Sequence, residues 1–239
     1  MSIIFNEEEY AKKVLNSGVQ RTNKKWIDMQ MAANYLREQN YNDKQIENEL
    51  HFIAKKSFVD YNRVRLSNVI DKQVKNSKRF KLKRANEIII TQNELNTILS
   101  EESYKVQHLL FVYLVLSKYY MSNNNTDKYY VGCKDTEIFN LCDMYTRKQE
   151  RLDLMHYITV KGYIYPTQSM SSVVTYVDED SEVVMKFVPD DDMVYHLEQY
   201  QGGLFVNCEI CNKLTKKTNN RTKYCRQCAR NQNSSKVAK

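Results

Sequence analysis

Residues 146–165 read Thr146-Arg-Lys-Gln-Glu-Arg151-Leu-Asp-Leu-Met155-His-Tyr-Ile158-Thr-Val-Lys161-Gly162-Tyr-Ile-Tyr165. Thr146-x-x-Gln149 has the spacing of a capping box, in which each side chain bonds the other residue's backbone N–H. Leu152, Met155 and Ile158 recur every three residues and mark the inward face of a helix. Gly162 is the residue that stops such a helix in a left-handed conformation. The β-rich triplet Tyr163–Tyr165 then begins a strand. A helix running directly into a strand through Lys161-Gly162 is the pattern from which the fold is read.

Upstream, Thr91-x-x-Glu94 is another capping box and opens a helix of about two turns that ends near Ser100. Residues 102–121 form a long helix whose centre, Leu109-Leu-Phe-Val-Tyr-Leu-Val-Leu116, is apolar all round. Such a helix is buried on most sides, in the middle of a core or at a dimer interface. The polar tract Ser122–Asp127 is a loop and Tyr129–Val131 a short strand. Asp135 caps a helix carrying Ile138, Phe139, Leu141 and Cys142. Downstream, Val173–Val177 and Val183–Val188 read as the two arms of a hairpin with an acidic tip, Asp178-Glu-Asp-Ser-Glu182. Asp190-Asp-Asp192 caps a last helix through Gln201, and Gly202-Gly203 then releases the chain. The order helix, helix, strand, helix, helix, hairpin over about residues 90–190 resembles a winged helix-turn-helix. That resemblance puts Arg147, Lys148 and Arg151 at the docking end of a recognition helix. The acidic tip, standing where a wing would touch phosphate, argues for a domain that dimerises or docks a protein.

Before this stretch the chain is helical. Helices are expected over 7–17, with Asn6 and Glu9 as a capping pair, and over about 23–39, with Trp26, Met29, Ala33 and Leu36 inward. Asn42 with Gln45 caps the next helix, whose apolar face is Ile46, Leu50 and Ile53. The last two outline a helix-turn-helix, and Lys44, Asn48, His51 and Lys55 form a polar stripe on the second. A fourth helix over about 60–75 has Val64, Ile70 and Val74 inward. It runs into Lys72, Lys75, Lys78, Arg79, Lys81, Lys83 and Arg84, seven cations in thirteen residues with no carboxylate among them. Such a run neutralises phosphates, with a grip that weakens steeply as salt rises.

The C-terminal segment holds Cys208-Glu-Ile-Cys211 and, thirteen residues on, Cys225-Arg-Gln-Cys228. Two C-x-x-C pairs close a tetrahedron of soft sulfurs, a donor set that selects one structural Zn²⁺ and leaves no position open for catalysis. Leu214–Thr218 and Arg221–Cys225 pair across Asn219-Asn220 in a zinc-ribbon reading. If Cys228 opens a helix, the module resembles a treble-clef finger. Lys213, Lys216, Lys217, Arg221, Lys223, Arg226 and Arg230 surround the thiolates; some offset the charge of the site and the rest hold phosphates. Cys133 and Cys142 lack ligand spacing and read as buried thiols.

Charge is partitioned. Residues 1–85 carry 18 Lys and Arg against 10 Asp and Glu; residues 86–207 carry 9 against 18; residues 208–239 carry 9 against 1. Two basic ends on an acidic middle imply a polyanionic partner. No signal peptide is evident at the N-terminus, and the longest apolar run of eight residues does not span a bilayer. The expectation is a reducing, cytoplasmic location in a bacterial cell and no membrane partner. No phosphate-binding Gly-rich loop, G-x-S-x-G or H-E-x-x-H occurs, and no His-Asn pair accompanies the cysteines as in treble-clef nucleases.

The fold expected is mainly α with small β elements (α+β): a helical domain over 1–85, a winged-helix-like domain over 86–203 and a four-cysteine finger over 204–239. The layout is similar to regulators and replication-initiation proteins of phages and mobile elements. That similarity implies a non-enzymatic DNA-binding protein, with a homodimer or a replication or transcription protein as its further partner. The competing reading is an adaptor that binds such machinery through its acidic middle.

Overall fold

The computed structural model describes residues 3–124, 126–168 and 171–237, with side chains through residue 232. Two compact units divide the chain, residues 4–85 and residues 86–239. Ten α-helices and seven short strands occur among the described residues, an α+β fold dominated by helix.

The first unit is a four-helix cluster: α1 (Glu7–Ser17), α2 (Lys25–Glu38), α3 (Asp43–Ser57) and α4 (Arg63–Asn76). Its boundaries follow local chemistry. The Asn6 side chain accepts from the Glu9 amide at 3.1 Å, and Asn42 with Gln45 closes a full capping box. Between α2 and α3, Asn40 takes the left-handed conformation (φ 64). The Tyr41 amide reaches back to the Leu36 carbonyl, which satisfies the frayed end of α2. Val14, Met29, Ala33, Leu36, Ile46, Leu50, Ile53, Ile70 and Val74 form the core. Beneath them Asp28 is fully buried and accepts from Tyr10 Oη, from the Gln20 and Arg21 amides and from Arg21 Nε. A buried carboxylate is tolerable because its acceptor sites are so well filled.

Two readings of this unit need correction. Val64 is 83% exposed, not inward. His51 is no part of a solvated stripe: it is buried, with Nδ1 3.1 Å from Tyr61 Oη. The α3 turn that carries it points toward α4, whose packing the single-helix pattern did not reveal.

The second unit is assembled around α6 (Tyr104–Asn124), in which every residue from His108 to Ser117 is buried. That cover comes from the chain itself, so the apolar centre of α6 offers no surface to a second copy. The loop expected over 122–127 therefore starts later; its Asn125 lies outside the described residues. Against α6 pack β1 (Ile88–Thr91), α5 (Gln92–Leu99), β2 (Tyr130–Val131), α7 (Asp135–Leu141), α8 (Lys148–Val160) and α9 (Val194–Tyr200). Glu94, fully buried on α5, binds three elements at once. It accepts from the Thr91 amide at 2.9 Å, from Lys118 Nζ of α6 at 2.7 Å and from the Asp178 amide at 2.9 Å.

Strand pairing departs from the expected hairpin. β3 (Ile164–Pro166) pairs antiparallel with β4 (Ser172–Val174), and β4 also pairs with β2, giving a three-stranded sheet in the order β2-β4-β3. β5 (Val183–Phe187) leaves this sheet and pairs instead with β1, Ile88 opposite Phe187. Residues 178–182 are thus a connection between two sheets, not a hairpin tip. They lie over the start of α5: the Gln92 amide donates to the Glu182 carbonyl and the Asn93 amide to Ser181 Oγ. Strands so far apart in the chain leave no local trace of their pairing, so the sequence pattern neither marks β1 nor directs β5 to it.

Phe187 stacks on Phe111 and on His196, the latter with ring centroids 4.2 Å apart. Burial pushes the His196 imidazole below its ordinary 6.5, against the pull of Asp190. The unfolded chain therefore takes up the proton first, so this contribution to stability is complete above 6.5 and declines as the pH drops below it. Replacing His196→Phe is expected to flatten the fall in urea midpoint between about pH 7 and about pH 5 relative to wild type. An unchanged slope would show that His196 is not the titrating group.

Candidate metal centre

Residues 204–232 contain almost no core. Only Cys208 and Cys225 are buried among the described side chains of that segment. The fold there is a short hairpin, β6 (Phe205–Asn207) with β7 (Leu214–Lys216), followed by α10 (Arg226–Val237). Cys208 and Cys211 sit on the turn of the hairpin. The Asn212 amide donates to the Cys208 carbonyl, the Cys208 amide to the Lys213 carbonyl, and Asn212 takes φ 57. This turn is what joins the strands, so β7 pairs with β6 and not, as the zinc-ribbon reading had it, with residues 221–225. Cys225 immediately precedes α10 and Cys228 lies in its first turn, where the Cys228 amide donates to Cys225 Sγ at 3.4 Å.

The four Sγ atoms all lie within 4.8 Å of one another, and Cys211 Sγ is 3.7 Å from Cys225 Sγ. A zinc ion with bonds of about 2.3 Å requires sulfurs about 3.8 Å apart. A disulfide requires about 2.05 Å. All four cysteines are free thiols, so the spacing fits a metal and not a cross-link. Burial raises the Cys208 thiol, but the backbone N–H groups of Cys225, Cys211 and Ile210 outweigh it and hold it down at about 6. Hydrogen bonding to Cys225 pushes the Cys228 thiol up to about 12, as expected where thiols share one site without a cation. The soft four-sulfur set is zinc-finger-like and suits one Zn²⁺, which would ionise the thiols and close the shell.

The module is tied to α9, and Gly202-Gly203 is not a free tether. Gly202 (φ 92) caps α9 and the Gly203 amide donates to the Glu198 carbonyl at 2.9 Å. A Cβ on Gly203 would lie 2.8 Å from that carbonyl oxygen and 2.7 Å from the Phe205 ring. Glycine is therefore needed for close approach rather than for flexibility. The Phe205 ring packs on Tyr195, Lys213 pairs with Asp190 at 3.1 Å, and Lys216 with Glu198 at 2.9 Å.

These ion pairs sort the predicted basic residues. Lys216 is engaged with Glu198 and Lys223 with Glu209. Arg221 and Arg226 are exposed, as is Arg230 on α10, while Lys217 is half-buried with its amide bonded to the Leu204 carbonyl. In the first unit, Lys78 pairs with Asp43, and Arg84 with Glu8 and Glu38. Lys83 is half-buried and its amide donates to Glu7 Oε2. Lys72, Lys75, Arg79 and Lys81 are exposed. On the second unit Arg147 and Lys148 are exposed and Arg151 half-buried, with none in an ion pair among the described residues. α8 begins one turn-residue later than the Thr146 box implied, with Arg147 as its N-cap and no side-chain cap. Leu152, expected inward, is 51% exposed; Ile158 carries the buried contact instead.

No family model, no curated protein and no solved structure matches this chain. Among the described residues no helix is long and apolar enough to cross a membrane.

Metal analysis of the purified full-length protein should find about one zinc per chain. Cys211→Ser should lose it, and protease should then cut after Lys213–Arg230 at least about tenfold faster, because metal supplies most of the folding free energy there. Trp26 fluorescence, from the other unit, should stay unchanged on chelation. Zinc-free protein that resists protease equally well would contradict the assignment.

Proposed function

We propose that this chain is a non-enzymatic DNA-binding protein, a transcription regulator or replication-initiation factor of a phage or mobile element acting in the bacterial cytoplasm. The observation that carries this reading is the arrangement α6, β2, α7, α8, β3, β4 with sheet order β2-β4-β3. This order resembles that of a winged helix-turn-helix, in which α8 would take the recognition position and the connection from β3 to β4 the wing.

The objection raised by an acidic wing does not apply to this arrangement. The sequence between β3 and β4, residues 167–171, holds no carboxylate, and the Thr167 amide donates to the Ser171 carbonyl at 2.7 Å. Glu150, the carboxylate in the first turn of α8, is paired with Lys105. The N-terminal end of α8 therefore offers Arg147, Lys148 and Arg151 to phosphate together with the positive end of the helix dipole. The cysteine module, with one pair on a hairpin turn and the other at a helix start, is proposed as a treble-clef finger. Its exposed Arg221, Arg226 and Arg230 add a second grip on the backbone, and the cations of α4 and the segment after it add a third.

Binding of a labelled duplex of about 25 base pairs to the full chain tests this reading. The triple variant R147A/K148A/R151A is expected to bind at least about thirtyfold more weakly at low salt, with the salt slope reduced by about 2–3. Wild-type affinity and slope in that variant would overturn it. Cleavage of the duplex in Mg²⁺ would replace a binding protein with a nuclease.

A further inference from the structure

The exposed cations of the first unit are not scattered. Arg65, Asn68, Lys72 and Lys75 follow one another on α4 at intervals of three, four and three, and Arg79 follows four residues later. At 100° per residue the four positions within α4 share a single strip of the helix surface, and Arg79 lies three residues past the end of the helix at Asn76. All five residues are exposed. None of the four cations in the strip is in an ion pair among the described residues, whereas the neighbouring Lys78, Arg84 and Arg37 are paired with Asp43, Glu8 and Glu38. Asp71, the one carboxylate in the α4 sequence, is exposed four residues before Lys75 and is in no ion pair among the described residues. Four cations against that one carboxylate leave the strip net positive.

The strip ends beside an aromatic ring. Phe80 is 57% exposed and stands between Arg79 and Lys81. Its backbone is fixed on both sides. The Phe80 and Arg79 amides donate to the Asn76 carbonyl. Two residues on, Leu82 is buried and its amide donates to Glu38 Oε1 at 3.1 Å. The Lys83 amide donates to Glu7 Oε2, and the Glu7 amide returns a bond to the Lys83 carbonyl. A ring held in water between two cations, at the end of a row of cations, loses little freedom when a flat partner stacks on it.

We propose that α4 and residues 77–84 form a track for single-stranded nucleic acid. Arg65, Lys72, Lys75 and Arg79 neutralise successive phosphates, Asn68 hydrogen-bonds the backbone between them, and Phe80 stacks on an unpaired base. Duplex bases are already stacked on each other and have no face to give the ring; an unpaired base has one. This track shares with the winged-helix reading only the chemistry of its partner and stands or falls without it.

The test uses the full chain and fluorescein-labelled oligothymidylate of about 20 nucleotides, with a duplex of equal length and vesicles of phosphatidylserine and phosphatidylcholine alongside. R65E/K72E/K75E is expected to weaken oligothymidylate binding at least tenfold and duplex binding by a clearly smaller factor, since the start of α8 and the cysteine module still hold the duplex. Phe80→Ala is expected to weaken oligothymidylate binding about fivefold or more with an unchanged salt slope, and Phe80→Trp to restore it. Trp26 fluorescence reports that each variant keeps the fold of its unit. Oligothymidylate affinity untouched by Phe80→Ala, equal losses on duplex and single strand, or preferential binding to the vesicles would each overturn the proposal. Loss of duplex binding in R147A/K148A/R151A with oligothymidylate binding intact would separate the two sites.

Discussion

A 21-residue helix with an apolar centre on every side has to be covered on every side, and that requirement organises residues 86–239. Each fully buried Leu, Val or Phe in α6 contributes roughly 1.5–3 kcal/mol, so the surrounding elements gain most by closing over it. They do so in two layers, β1 with β5 and α5 at one side, and the β2-β4-β3 sheet with α7 and α8 at another. Polar groups that this closure buries are matched in kind. Tyr176 Oη donates to the Leu110 carbonyl, Lys118 meets Glu94, and Glu101 accepts from Tyr157 and Tyr163. Burial alone would raise the Glu101 carboxyl, but the two phenols hold it below its ordinary value. α8 meets this core through Ile158 and Met155, and its first turn is held to α6 by the Glu150–Lys105 pair.

Electrostatics divides the surface by the same economy of partners. The carboxylates are few at the two ends of the chain, and most are already held: Glu8, Glu38 and Asp43 by Arg84, Lys78 and Arg37. Asp190 and Glu198 hold the cysteine module through Lys213 and Lys216. A lysine held in an ion pair is not available to an outside anion, so net charge overstates the number of unpaired cations. What is left is directional: the strip on α4, the start of α8, and Arg221 and Arg226 beside the thiolates. Exposed ion pairs of this kind contribute little to stability. Their larger effect is to decide which cations face water unpaired.

Features with a local cause were legible in the sequence. The capping pairs Asn6–Glu9, Asn42–Gln45 and Thr91–Glu94 each act within four residues, and the apolar block 109–116 declares its own burial. The two C-x-x-C pairs announce a shared site because each pair suits two corners of a tetrahedral metal shell. Long-range pairing was not legible. β5 reads equally well as the second arm of a hairpin with β4 until Ile88 is seen opposite Phe187. Gly202-Gly203 reads as a linker, since nothing in sequence reveals that Glu198 and Phe205 crowd the position of a Cβ. His51 sits on the polar side by simple periodicity and is buried because α4 covers it. The strip on α4 is legible in the sequence as a helical spacing: Arg65 stands seven and ten residues before Lys72 and Lys75.

Amide hydrogen exchange of the full chain, with and without a duplex of about 25 base pairs at low salt, addresses the central claim without altering any residue. The expected result is slower exchange on duplex binding in peptides covering residues 145–152 and the flanks of the β3–β4 turn, with the buried amides of α6 unchanged. A duplex that binds while residues 145–152 exchange at the same rate as in the free protein would contradict the assignment of α8 as the recognition helix.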